Sequence, residues 1–386
     1  MAAVPYDVVN TEEARGLAAR HPLSFLHVSR AEIDLPDGTD PYSPQVYAKA
    51  AAGFAALRAA APLEVEAEPS LYVYRLQMGS HLQTGVAGCF SLDEYDTDLI
   101  KKHERTRRDK EDDRTRHILA VRGQTGPVFL TYKAANGVDG VVARITAQAP
   151  LFTFTAPDSI VHTIWHAAAA DRDGLVSAFG LIPALYIADG HHRAASAARA
   201  RQELGGAAKS PGEWDTFLAV AFPDNQMQVL AYNRVVKDLN GQSAESLLAT
   251  IGQVHRVAPG GAVPSRPGVV CMYLAGAWHE ITLTAASASA SPSDRLDVSV
   301  LQDTVLTPLL GIGDVRSDKR IDFVGGARGT TELESLVTSG RAAVAFSLFP
   351  VRVTDLMEIS DTGGIMPPKS TWFEPKLRDG LLSHLI

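Results

Sequence analysis

The apolar run Leu185 to Ala188 enters Asp189-Gly190-His191-His192-Arg193 and passes at once into an alanine-rich helix reaching Leu204. A strand joined to a helix through one glycine restricts the chain to a layered fold in which helices cover a sheet, the α/β or α+β class. The same turn carries a chemistry. A helix start leaves backbone N–H groups unpaired and bears partial positive charge, so it attracts anions. Gly190 lets the backbone approach a ligand with no Cβ in the way. His191, His192 and Arg193 add donors, and an arginine can fork two bonds onto phosphate oxygens. Two other readings stand beside phosphate binding. One is a metal held by the histidines, although adjacent side chains at a turn point apart. The other is a structural cap in which Asp189 satisfies first-turn amides. Neither accounts for Arg193, whose charge opposes the helix dipole unless an anion is present.

Around this turn, strand and helix patterns alternate. TEEARGLAARHP reads as a helix capped by Thr11, SFLHVSRAEIDL as a strand, and a helix starts at Gln45. SLYVYRLQMG and HLQTGVAGCFSL meet at a Gly-Ser turn and read as a hairpin. GPVFLTYKA and GVVARITA read as strands, PDSIVHTIWHAAAADRDGL as the helix before the motif, and WDTFLAVAFPDNQMQVLAYNRVV as further strands. Beyond Leu239, APGGAVPSRPG and TAASASASPSDR flank a hairpin-like VVCMYLAGAWHEITL, the mark of an inserted β-containing lobe. The chain closes with helix DVSVLQDTVLTPLLG, strand RIDFVG, helix TTELESLVTSG with a Thr331-x-x-Glu334 capping box, and strand AAVAFSLFPV. The expected layout is an N-terminal mixed α/β region over 1–95, a phosphate-binding core over 96–239 and a C-terminal α/β lobe over 240–386.

A chain of 386 residues, 46% hydrophobic and 21% charged, can bury a sizeable core. Its net charge of -8 gives no general attraction for nucleic acid or an anionic membrane, and no helix-turn-helix is legible. No apolar run approaches the roughly 20 residues of a membrane helix. The N-terminus has no secretory pattern, so a cytoplasmic protein is expected. Cys89 and Cys271 form neither a CxxC pair nor a zinc spacing and read as buried reduced thiols. The oligomeric state stays open.

The stretch DLIKKHERTRRDKEDDRTRH, Asp98 to His117, places opposite charges four apart at Arg105 and Asp109, Arg107 and Glu111, Arg108 and Asp112. That spacing reads as a ladder on an exposed helix, each rung adding roughly a few tenths of a kcal/mol. His103 and Glu104 stand at its start.

IADGHHRAASA resembles the phosphate-binding turn of the fold shared by ParB and sulfiredoxin, and most nearly the Asp-Gly-His-His-Arg of the archaeal SerK-type free serine kinases. KKHERT around Glu104 and MPPKSTWFEPK, Met366 to Lys376, resemble two further motifs of these kinases in the same order. From PYDVV through FLHVSRAE, KHERTRRDKEDDR, DGHHR and MPPKST, the chain is also similar to a widespread bacterial family labelled a domain of unknown function. The resemblance implies a ParB/sulfiredoxin-like mixed core. It also implies Mg²⁺-assisted phosphoryl transfer from ATP or ADP to the hydroxyl of a small molecule, a free amino acid, with L-serine giving O-phospho-L-serine. Glu104 would take the hydroxyl proton, and Asp189 would orient phosphates or meet Mg²⁺ through water. Gly190, His191, His192, Arg193, Lys369, Ser370 and Thr371 would contact the nucleotide phosphates. At the acceptor, Arg30, Arg105 or Arg107 are candidate carboxylate partners and Glu32 an ammonium partner, with His103 and Trp372 alongside. Here the chain departs from the kinases, carrying Trp372 and Phe373 where they have basic side chains. A second reading, from ParB, is a nucleotide-binding switch whose turn holds CTP and which phosphorylates nothing. A sulfiredoxin-like reductase is set aside, since its cysteine lies in the turn and none does here.

Overall fold

Residues Tyr72–Met78 (β1) and His81–Ser91 (β2) form the hairpin read from the sequence. Gly79, at φ +58°, turns the chain so that Met78 pairs with His81. The computed structural model describes residues 2–60, 63–205 and 211–386. It divides the chain into two units, Met1–Met227 with Pro375–Ile386, and Gln228–Glu374.

In the first unit the chain adds Ile100–Lys101 (β3), Gly123–Gln124 (β4), Val128–Tyr132 (β5), Phe152–Thr155 (β6), Val161–His166 (β7), Leu185–Asp189 (β8) and Thr216–Pro223 (β9). One eight-stranded sheet runs in the order β3-β8-β5-β9-β2-β1-β7-β6. The pairs β3/β8 and β5/β9 are parallel, while β5/β8, β2/β9, β1/β2, β1/β7 and β6/β7 are antiparallel. The fold is therefore mixed α/β. Its core contains Leu130, Ile187 and Ala219 from central strands, with Val138, Leu175 and Ala194 from helices, all with no exposed surface. A second cluster, with Phe25, Val28, Ala50 and Phe54, belongs to the N-terminal segment. Because β1 and β2 lie inside the eight-stranded sheet, no division falls at residue 95, where one was expected. The last residues return to this unit: Ala3 bridges Asp379, and His384–Leu385 pairs with β4.

Several elements differ from the sequence reading. GVVARITA lies within a helix, Asn136–Thr146, because Val138, Val141 and Ile145 fall on one buried face at spacings of three and four. SFLHVSRAEIDL forms a short helix, Leu26–Ser29, and a 3-10 turn, Ala31–Asp34; it is buried on nearly every side, so its alternation carried no strand signal. PDSIVHTIWHAAAADRDGL splits into β7 and the helix Ala169–Phe179. The helix Thr11–Ala18 is capped by Asn10, whose carboxamide and Glu13 form a capping box, rather than by Thr11. The charge ladder does not form along one helix. The helix begins only at Arg108, Arg107 pairs with Asp109 at 2.8 Å, and Glu111 and Asp112 reach across to Arg199.

The second unit contains Gln228–Leu230 (β10), Tyr232–Val236 (β11), Arg256–Pro259 (β12), Val269–Leu274 (β13), Ala277–Thr282 (β14), Ile321–Gly325 (β15), Val344–Leu348 (β16) and Trp372–Glu374 (β17). Its antiparallel sheet runs β12-β14-β13-β16-β11-β15, and β10 pairs with β17. The expected hairpin is β13/β14, closed by Ala275 and Gly276 at positive φ. Glu334 makes no capping box; it accepts from the Trp278 indole at 2.7 Å, and the helix Gly329–Thr338 has no side-chain cap. Arg234, almost wholly buried, donates to the carbonyls of Tyr232, Pro368 and Lys369. It thereby fixes the Met366–Thr371 loop, in which Lys369 adopts φ +56°. Cys271 is buried as expected, but Cys89 is exposed. Among the described residues no helix is long and apolar enough to cross a membrane.

Candidate functional site: the strand-to-helix turn

Strand β8 ends at Asp189, opposite Phe129 of β5, and Gly190 at φ +95° redirects the chain into the helix His191–Gly205. A Cβ on Gly190 would lie 3.1 Å from the guanidinium carbon of Arg193. The glycine thus makes room for Arg193, which folds back over the turn. The Arg193 side chain is only 10% exposed. It donates to the Pro127 carbonyl, and its Nη2 lies 3.8 Å from both Asp7 and Asp189. Burial alone would lower its pKa, but the Asp7 and Asp189 carboxylates raise it, so the charge is held fast.

Asp189 carries a second cation that the sequence reading passed over. Its Oδ2 accepts from Lys376 Nζ at 3.0 Å. Burial would raise the Asp189 pKa, yet Lys376 and Arg193 together hold it well below the usual carboxylate range. A carboxylate already neutralised by two cations is a poor Mg²⁺ ligand, so Asp189 does not fit a resident metal. Among the described residues no group of three or more His, Cys, Asp or Glu could hold one.

The two histidines engage the KHERT segment. His191 is buried, its Nε2 accepts the His103 amide N–H at 3.4 Å, and its ring stands edge-on to the His103 ring at 4.4 Å. His192 Nε2 accepts the Arg107 amide N–H at 3.0 Å. Between these anchors lies Glu104, 54% exposed, with Oε2 at 3.8 Å from His191 Nδ1. Burial pushes His103 down to about 4, drives His191 well below its ordinary value and lowers His192. All three imidazoles are therefore neutral at pH 7.

Other expected site residues are placed as follows. Arg105 and Arg107 are exposed. Arg30 pairs with buried Glu32 at 3.0 Å and donates to Thr11 at 3.0 Å. Both line a cavity of about 220 Å³ with Tyr42, Lys110, Asp113 and Arg114. A smaller cavity, walled by Arg193 and Asp379, shares Tyr6, Arg114 and His117 with it. Asp379 was not singled out from the sequence; burial, partly offset by Arg193, pushes its carboxyl up to about 7. Lys369, Ser370, Thr371 and Trp372 belong to the second unit. There the Lys369 ammonium lies 5.6 Å over the Tyr232 ring, Ser370 donates to the Pro367 carbonyl at 2.7 Å, and the Trp372 indole donates to Glu374 at 2.8 Å. Lys376 carried one sequence signal: Pro375-Lys376 repeats the Pro368-Lys369 dipeptide seven residues on.

Residues 1–299 match a family described as protein of unknown function (DUF1015). The chain belongs to that family. Among solved structures, this DUF1015 chain is similar to SbnI with a C-terminal truncation from Staphylococcus aureus, at 13% identity and TM-score 0.39, over 76% of this chain and 85% of that one. It is similar also to a free serine kinase in complex with ADP, at 12% identity and TM-score 0.36, over 81% and 91% of the two chains. A conserved hypothetical protein from Pyrococcus furiosus gives 13% identity and TM-score 0.36, over 82% and 96%. No curated protein matches.

Proposed function

We propose that this DUF1015 protein is a kinase that moves a phosphoryl group from ATP or ADP to the hydroxyl of a small molecule, most specifically free L-serine. One observation carries the reading. Glu104 and the Asp189–Arg193 turn, far apart in sequence, meet at a 3.8 Å separation between Glu104 and His191. A proton-accepting carboxylate is thereby set beside a helix N-terminus suited to phosphate. Phosphoryl transfer asks little covalent chemistry of a protein beyond positioning, charge neutralisation and proton acceptance. In the proposed step the acceptor oxygen bonds to the terminal phosphorus, the bond from that phosphorus to the nucleotide's bridging oxygen breaks, and the hydroxyl proton passes to Glu104. ADP or AMP leaves, according to the donor. The first-turn amides and Lys376 are the candidate phosphate partners in this unit.

The test is incubation of the full chain with Mg²⁺, each nucleotide in turn and a mixture of free amino acids, read by mass spectrometry. O-phosphoserine is expected, with weaker phosphorylation of ethanolamine, which lacks the carboxylate, and none of serine inside a peptide. A site built for carboxylate and ammonium discriminates against analogues that leave a partner unpaired. Nucleotide binding with no phosphorylated product would overturn the kinase reading in favour of the ParB-like switch, whose nucleotide is CTP.

A further inference from the structure

Residues 102–107, between β3 and the helix Arg108–Val121, form no regular secondary structure, so their backbone N–H groups depend on partners from elsewhere. His103 and Arg107 find them in two adjacent side chains. His191 Nε2 takes the His103 amide at 3.4 Å, and His192 Nε2 takes the Arg107 amide at 3.0 Å. Successive residues at a helix start project about 100° apart, which is why neighbours in sequence reach points four residues apart on the loop. Glu104 lies between the two anchors. An imidazole nitrogen accepts an N–H only while unprotonated. With Nε2 of His191 so used, the ring's proton resides on Nδ1, the atom 3.8 Å from the Glu104 carboxylate.

We propose that His191 and His192 are positioning residues: neutral acceptors that hold the two ends of the His103–Arg107 segment and so aim Glu104, rather than cationic donors to phosphate. The role of Glu104 rests on the kinase reading above; the clamp itself does not. The clamp separates two tasks at the turn, leaving phosphate recognition to backbone N–H groups and neighbouring cations. It also explains why the chain keeps two imidazoles where a second arginine would offer more charge to an anion.

The test compares wild type with His192→Ala and with His192→Gln, whose Oε1 reaches about as far as Nε2 and can accept the same N–H. Amide hydrogen exchange on the full chain is expected to rise by about tenfold or more at Arg107 in the alanine variant, to return close to wild type in the glutamine variant, and to stay unchanged in β8. In parallel, kcat should fall by about tenfold or more in His192→Ala, with nucleotide affinity within about twofold and recovery in His192→Gln. A loss of nucleotide affinity of about tenfold with unchanged exchange at Arg107 would make His192 a phosphate ligand and overturn the proposal. If the alanine variant does not fold, ¹⁵N-labelled wild type decides. A through-hydrogen-bond coupling between the Arg107 amide and His192 Nε2 is expected at neutral pH, and its absence overturns the clamp. A wild type with no kinase activity but an intact clamp would sink the kinase reading alone.

Discussion

Removing the Glu104 carboxylate and removing the Arg193 guanidinium test separate things, because the first side chain is half exposed and the second is buried among acids. Glu104→Gln keeps size and polarity but cannot take a proton. Turnover should drop by about 10² or more while nucleotide affinity changes by less than about twofold, as for a general base. Paired measurements of rate and calorimetric affinity decide it; near-normal turnover would leave Glu104 with only a structural place in the loop. Arg193→Ala instead removes a buried guanidinium from beside Asp7 and Asp189, leaving Asp189 to Lys376, and should cost on the order of 2 kcal/mol in urea unfolding, as when charge-assisted contacts are lost. A loss under about 1 kcal/mol would mean that the guanidinium is not committed to those acids. From the sequence, Arg193 read as a phosphate ligand because its charge opposes a helix dipole; in the fold two carboxylates, Asp7 and Asp189, stand 3.8 Å from its Nη2. Lys376 escaped notice for a related reason. Its partner, Asp189, lies 187 residues away, and a pair formed across the fold leaves no local spacing to read.

At the scale of elements, the turn is set by the helix behind it. His191–Gly205 buries Ala194, Ala197, Ala198 and Ala200, small side chains that let a helix approach its neighbours closely. Ser196 of the same helix donates to the Glu111 carbonyl of the helix Arg108–Val121 at 3.2 Å. Ala197→Leu would add three carbons where 2% of the residue is exposed. The substitution should destabilise by about 1–3 kcal/mol through overpacking and displace the turn, so that the Arg107 amide exchanges faster than in wild type. Urea unfolding with the same exchange experiment checks both; a variant as stable as wild type would mean that the helix face has slack. Where turn chemistry was explicit, as at Gly79-Ser80 and Ala275-Gly276, the sequence named the hairpins. Where β-branched residues fell at helical spacing, as at Val138, Val141 and Ile145, residue preference pointed to a strand and burial made a helix. The Asp98–His117 run misled in another way. Charge spacing suggested one long helix, but its first ten residues hold a strand and the loop that bears Glu104, and two of its acids turn to Arg199.

At the scale of the whole molecule, the first unit buries more imidazole than its surface chemistry suggests. Burial pushes His103, His117 and His162 each down to about 4, with Arg114 adding to the effect at His117 and Arg378 at His162. An unfolded histidine titrates near 6.5. Between roughly pH 6.5 and 4 the unfolded chain therefore binds protons that the folded chain refuses, and stability is lost as pH falls through that window. Asp379 acts in the opposite sense. Its carboxyl, raised to about 7, is protonated in the fold while an unfolded aspartate stays ionised down to about 4, so its contribution is present at low pH and lost as pH rises through 7. These three imidazoles, with His191 and His192 also lowered by burial, outweigh one carboxyl, so near pH 5 the unfolded chain binds more protons than the folded one. Thermal melts from pH 7.5 to 5 should show Tm falling steadily on acidification, and Asp379→Asn, which removes the opposing titration, should steepen the fall. A Tm that holds level or rises toward pH 5 would mean that Asp379 and its surrounding arginines, rather than the buried histidines, govern the acid limit of this unit.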